Sequence, residues 1–238
     1  MLNRLRRYIS LSWRELPIKS QVSRSQHVPC LQINHHRHNT MSSSLSIKYA
    51  PAYANPSGAG DARPTAQQII EDENLTGKLA DKVILVTGCS SGIGVETARA
   101  LASTGATLFL TARNLSQAKT SLADILEPGR IELLQLDLSY LDSVRVAAKE
   151  ISRRTSTLNV LICNAGVMAT PYGTTTDGYE TQFRTNHLGH FLLFNLLKPL
   201  MLASAVSEFS SRVVMVSSTA HRGGGIRIGD YDFTKPPE

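Results

Sequence analysis

Near the end of the chain Tyr231 and Lys235 stand four apart, a spacing that would put both on one face of a helix. A phenol with a pKa near 10 needs a cation beside it to exchange a proton at neutral pH, so this is a workable acid/base pair. Pro236 and Pro237 follow at once and would end a helix before its second turn. A second stretch with chemical content is "TGCSSGIG", Thr87 to Gly94. Gly88 permits a tight turn, Gly92 lets the backbone approach a pyrophosphate, and Gly94 lets a helix pack close to a sheet. Ser90, Ser91 and Ile93 complete this cofactor-binding turn, whose amides face the phosphates at the start of a helix. Arg113, in "LTARN", comes nineteen residues after Gly94. An acid at that place would bind the ribose 2′-hydroxyl of NAD, whereas an arginine suits the 2′-phosphate of NADP. The predicted cofactor is NADP(H).

These residues need a scaffold, and the texture of the chain from Lys78 onward supplies one. "DKVILVTG" is a short apolar run ending in Gly, the mark of a buried strand. A helix is predicted over 93–103, then "TLFLTA" as a strand, 114–126 as a helix and "RIELLQLD" as a strand. There follow a helix at 140–154, the strand "LNVLICNAG", a long helix at about 177–203 and a fifth strand in "SRVVMVSS". Strands alternating with helices in units of 25–30 residues make a parallel sheet with right-handed crossovers. The predicted class is α/β, a doubly wound parallel sheet of Rossmann type that is incomplete after the fifth strand. Ligands of such a sheet bind at the carboxyl ends of its strands, where every motif above lies.

The TGxxxGxG spacing, with "LDLS", "CNAG", "TNHLGHFLL" and "VMVSS" at successive positions, resembles the short-chain dehydrogenase/reductase family. "ICNAGVMATP" and "SRVVMVSSTAHR" narrow the likeness to the retinol-dehydrogenase and WW-domain-oxidoreductase branch with its fungal relatives. The resemblance covers residues 77–238. It implies that Asp137 faces the adenine with Leu138 beside it in the cofactor site, and that Asn164, Ala165 and Gly166 support the adenosine half and the sheet. It makes Asn186 the helix residue that holds a water in the proton relay. It also makes Ser218 the hydroxyl that hydrogen-bonds a substrate carbonyl or alcohol. Cys163 stands where the family usually has Asn. In this branch "GIRIGDYDFTK" is similar to a loop that precedes the true Tyr-x-x-x-Lys by some dozen residues. With the glycines at 223–225 and 229, that argues that Tyr231 and Lys235 are not the catalytic pair. The resemblance therefore implies an NADP(H)-dependent oxidoreductase acting on a lipophilic carbonyl or alcohol, with a homodimer in the complete protein. The alternative is a truncated, inactive nucleotide-binding fragment.

Bulk properties exclude other classes. The net charge of +6 comes from residues 1–40, with seven Lys/Arg against one acid, while the remainder carries eighteen of each sign. A neutral folded part argues against a nucleic-acid partner, and no apolar run is long enough for a membrane span. Residues 1–75 are read as a disordered basic tail and 76–238 as the NADP-binding domain. Leu2, Leu5, Ile9, Trp13 and Leu16 recur at helical spacing among arginines, the description of a mitochondrial presequence. The other readings are a plain tail on a cytoplasmic protein, or upstream sequence before a start at Met41. Cys30, Cys89 and Cys163 have no CxxC spacing, which suits free thiols in a reducing compartment and packing roles. "HHRH" at 35–38, and His187 with His190, are read as polar or packing residues, with no metal predicted.

Overall fold

Five apolar runs become strands, all parallel: β1 Val83–Thr87, β2 Thr107–Ala112, β3 Ile131–Gln135, β4 Val160–Cys163 and β5 Arg212–Met215. The structure, a computed structural model, describes residues 48–223, 225 and 227–234. The predicted tail features in 1–47, with Lys235, Pro236 and Pro237, lie outside the described residues. The sheet order is β3-β2-β1-β4-β5. Chain direction across the sheet therefore reverses between β1 and β4, the switch point where open α/β sheets bind ligands. In register, Leu85 faces Phe109 on one side and Leu161 on the other.

Alternation along these strands feeds two cores. Leu85, Leu161 and Cys163 pack with Val144, Ala147, Ala148 and Ile151 of α4 (Leu141–Arg154) and with Leu193, Leu197 and Met201 of α5 (Gly189–Ala203). Ile84, Val86 and Ile162 pack on the opposite face with Val95 and Ala98 of α2 (Ile93–Ala102) and Ala118 of α3 (Leu115–Ser121). Burial on both faces is what makes these strands read as continuous apolar runs and not as alternating ones.

Thr65–Glu238 form one compact unit and Met1–Pro64 another. Of the latter, residues 48–64 contain a short 3-10 turn, Ala50–Tyr53, and Asp61 paired with Arg63. The stretch read as tail also contains a helix, α1 Ala66–Asp72, closed by a capping box between Thr65 and Gln68, with Ile70 buried.

Helix boundaries differ from expectation in two places. The helix predicted over 177–203 begins at Thr181, because the Glu180 carboxylate accepts the amides of Gln182 and Phe183 and so caps the start. Residues 175–178 instead form a turn with Gly178 at φ +81, flanked by an antiparallel bridge from Thr174 to Glu180. After Thr181–Phe183 the chain widens into a π turn, Arg184–Leu188, before α5. The helix predicted over 114–126 stops at Ser121, since Leu122 turns into the core and tight turns lead to the Glu127–Ile131 bridge.

Candidate functional site

The loop after β1 is held by backbone geometry that only glycine fits. Gly88 has φ +75, and a Cβ there would lie 2.7 Å from the Ala165 Cα. The amides of Gly88 and Cys89 both donate to the Thr111 carbonyl on β2, at 2.9 Å each. A Cβ at Gly94 would lie 2.1 Å from the Gly88 carbonyl oxygen, so α2 starts directly against the loop. Gly92 stands at the N-cap of α2 with φ 61 and ψ −139, and no side chain caps that end. A Cβ at Gly92 would meet open space. Uncapped first-turn amides facing open space at a helix start suit an anionic group. Ser90 anchors the loop to α3 by accepting from the Ser121 hydroxyl, while Ser91 and Ile93 are exposed.

Two further candidate residues follow β2 and β3, at the same carboxyl end of the parallel sheet. Arg113 is exposed at the end of β2, with no ion-pair partner among the described residues. Asp137 lies after β3, where its carboxylate accepts both the amide and the hydroxyl of Ser139. The Leu138 carbonyl accepts from Arg184 Nη1 at 2.7 Å. Arg184 is fully buried and also pairs with Asp177, whose other bond caps the Leu141 amide at the start of α4.

At the end of β4, Asn164 Nδ2 donates to the carbonyls of Thr87 (2.9 Å) and Gly88 (3.2 Å), tying β4 to the β1 loop. The amides of Asn164 and Ala165 both donate to Thr87 Oγ1 at 3.0 Å. Asn186, in the π turn, grips Val167 with both ends of its amide: Oδ1 accepts from the Val167 N–H and Nδ2 donates to its carbonyl, at 2.8 Å each. Gly166 lies beneath it, and a Cβ there would lie 3.3 Å from Asn186 Oδ1. Ser218 follows β5, whose Met215 is in register with Cys163, so it emerges at the same end of the sheet as Asn164. Its hydroxyl is exposed and accepts from the Ala220 amide at 3.1 Å, which leaves its proton available to donate.

A family model described as short chain dehydrogenase matches residues 82–236. The chain belongs to the short-chain dehydrogenase family. The short-chain dehydrogenase/reductase prx1 of Penicillium roqueforti is 52% identical over 186 residues, covering 78% of this chain and 55% of that protein. The human WW domain-containing oxidoreductase is 40% identical over 180 residues, covering 74% of this chain and 42% of its own. The chain thus spans about half the length of the curated relatives it matches. Among solved structures, a protein of Mycobacterium paratuberculosis aligns with a TM-score of 0.59 and 37% identity, over 74% of this chain and 57% of that one. A short chain dehydrogenase of Escherichia coli CFT073 complexed with NADPH aligns with a TM-score of 0.52 and 28% identity, over 65% and 66% of the two chains.

In this short-chain dehydrogenase the structure adds residues that the motifs alone do not single out. Thr87, His190, Arg184 and Asp177 tie the strand ends to the helix bearing Asn186. Their partners are remote in sequence, so spacing carries no signal for them; a polar residue inside the apolar stretch "GHFLLFNLL" was the one visible hint. His187 is exposed and stacks between Phe183 and Phe191. Among the described residues no cluster of His, Cys, Asp and Glu is arranged to hold a metal, and no helix is long and apolar enough to cross a membrane. Burial pushes the thiols of Cys89 and Cys163 up to about 12, so neither is a nucleophile at neutral pH. Tyr231 lies in a turn, not a helix, with its ring 5.4 Å from that of Phe183; Phe233 nearby has φ +52.

Proposed function

We propose that this chain carries the NADP(H)-binding part of an oxidoreductase that interconverts a lipophilic carbonyl and its alcohol. The observation that carries this reading is the Thr87–Gly94 loop at the sheet's switch point: positive-φ glycines, uncapped amides, and open space at Gly92. Arg113, which has no ion-pair partner among the described residues, would supply the cation for a 2′-phosphate, and Asp137 with Leu138 would border the adenine side. Asn164, Ala165 and Gly166 brace the loop from below. Bound there, the nicotinamide cofactor would supply or accept the hydride.

Two residues of the chain would act on the substrate side. Ser218 would donate its hydroxyl proton to the substrate oxygen, since that proton has no acceptor among the described residues. Asn186 keeps one Nδ2 proton and one Oδ1 lone pair beyond its two bonds to Val167, enough to hold a relay water. Membership of the family supports the reaction class, and the NADPH complex of the Escherichia coli relative supports the choice of cofactor.

The position of Tyr231 in a turn against Phe183 favours a second reading, in which the chain binds nucleotide without turning it over. Fluorescence titration with NADPH and NADH tests the first step. NADPH should bind tighter by about tenfold or more, the worth of one charge-assisted hydrogen bond, and Arg113→Glu should erase that preference. Equal binding of both nucleotides would sink the NADP(H) assignment, and binding of neither would sink the function. Oxidation of NADPH by retinal-like or aromatic aldehydes then separates the two readings. Turnover lost in Tyr231→Phe would overturn the second.

A further inference from the structure

His190 is 2% exposed and joins the two halves of the site. Its Nδ1 lies 2.9 Å from the Asn186 carbonyl oxygen, and its Nε2 lies 2.9 Å from Thr87 Oγ1. A carbonyl only accepts, so Nδ1 carries a proton. Thr87 Oγ1 spends both lone pairs on the amides of Asn164 and Ala165, so towards His190 it can only donate. Its other potential acceptor, the Ile162 carbonyl, is farther away at 3.5 Å. Nε2 is therefore an acceptor and the ring is neutral. Every hydrogen in the chain has one direction: Asn164 and Ala165 donate to Thr87, Thr87 donates to His190, and His190 donates to Asn186.

We propose that His190 is a positioning residue for the nucleotide loop: its neutral Nδ1–H tautomer orients the Thr87 hydroxyl, and through it locks the β1 and β4 ends to the turn that carries Asn186. This inference rests on the NADPH-binding reading above. A charged ring would aim an Nε2–H at an oxygen with no free lone pair, so protonation must break the link. Burial, with His187 nearby on the same helical run, holds the His190 pKa below its ordinary 6.5. Among the described residues, the elements packed around it bring no counter-charge to the ring: α4, which packs on α5, turns Asp142, Arg145 and Lys149 to solvent and pairs Glu150 with Arg153 and Arg154. β1 has no charged side chain, and β4 has only the Cys163 thiol, kept neutral by burial. Residues 164–167 carry none, Lys198 is the one charged residue of α5, and Arg184 in the π turn is engaged with Asp177 and Leu138.

The test combines a spectroscopic signature with a mutant cycle on the full chain. Long-range 15N–1H correlations near pH 7.5 should show His190 as the Nδ1–H tautomer, and an Nε2–H signal would overturn the proposal. This arm needs no variant and stands even where a substitution prevents folding. His190→Leu should weaken NADPH binding by about tenfold, the factor one hydrogen bond is worth, and Thr87→Val by more, since it also strands the amides of Asn164 and Ala165, with the double variant no weaker than Thr87→Val alone. Thr87→Ser and His190→Gln, which keep a hydroxyl and an acceptor, should restore most of the affinity. Additive losses in the cycle would overturn the coupling. Wild-type affinity should fall more steeply than that of His190→Leu as pH drops below 6.5, a comparison in which the nucleotide's own phosphate titration cancels. Parallel pH profiles would also overturn it. A wild-type chain that binds no NADPH refutes the proposed function; one that binds, with variants binding equally well, refutes only the role of His190.

Discussion

Gly94→Ala isolates the close approach of α2 to the β1 loop. The added methyl carbon would lie 2.1 Å from the Gly88 carbonyl oxygen and 2.7 Å from Asn164 Nδ2. Ordinary contact begins near 3.4 Å, and the Gly88 oxygen is backbone, so no rotamer change relieves the clash. The helix start must move away by about an ångström, which breaks the Asn164–Gly88 bond. Overpacking costs about 1–3 kcal/mol, and the lost hydrogen bond adds about 1 kcal/mol. The combined loss of about 2–4 kcal/mol is a large share of the roughly 5–15 kcal/mol that holds a domain folded. With a urea slope of about 1–3 kcal/mol per molar, the unfolding midpoint followed by circular dichroism should fall by about 0.7–4 M. Gly92→Ala is the internal control. Its methyl meets open space, so its stability loss is confined to backbone strain of about 1–3 kcal/mol. NADPH affinity should fall further than that strain accounts for, because the methyl occupies the mouth of the helix start. A Gly94→Ala chain with the wild-type midpoint would refute the reasoning.

Three further outcomes are expected. Arg184→Met should cost about 3–5 kcal/mol in the same urea assay, because it strands Asp177 and the Leu138 carbonyl; Arg184→Lys should rescue little of this, since an ammonium lacks the fork that reaches both partners. Hydrogen bonds from Arg153 and then Arg154 lower the Glu150 carboxyl to about 2. A depressed carboxyl stabilises the fold above its ordinary 4.5, and that contribution fades as pH falls towards 2. Glu150→Gln should therefore lower stability slightly at neutral pH and leave it nearly unchanged near pH 2, which flattens the acid limb of a stability-versus-pH curve in between. Iodoacetamide at pH 8 should leave the peptides bearing Cys89 and Cys163 unmodified by mass spectrometry until denaturant is added.

The strands were legible because each is a short apolar run closed by small or polar residues, and their parallel direction follows from the helix that leads from each strand to the next. The glycines of the β1 loop announce their conformations, and Gly88 and Gly92 do lie at positive φ. What spacing could not show are bonds made across the fold. Thr87 reads as the last letter of a strand, yet its hydroxyl serves two amides 77 and 78 residues away. No motif singles out Arg184, yet it is fully buried, because its partners come from the loop after β3 and from Asp177. The start of the long helix was misplaced for a local reason: Glu is an uncommon N-cap, and here the Glu180 carboxylate takes that role.

The bond between Thr87 and His190 also has a consequence in time. The two residues are 103 apart in sequence, and a ribosome adds about 5–20 residues per second. A nascent chain therefore spends roughly 5–20 s with its nucleotide loop synthesised but not yet clasped by His190. During that interval Thr87 lacks its acceptor and α5, which covers β1 and β4, does not yet exist. The grip on the cofactor is thus among the last features of the sheet to close, and substitutions that weaken the clasp should show first as poor yield at synthesis.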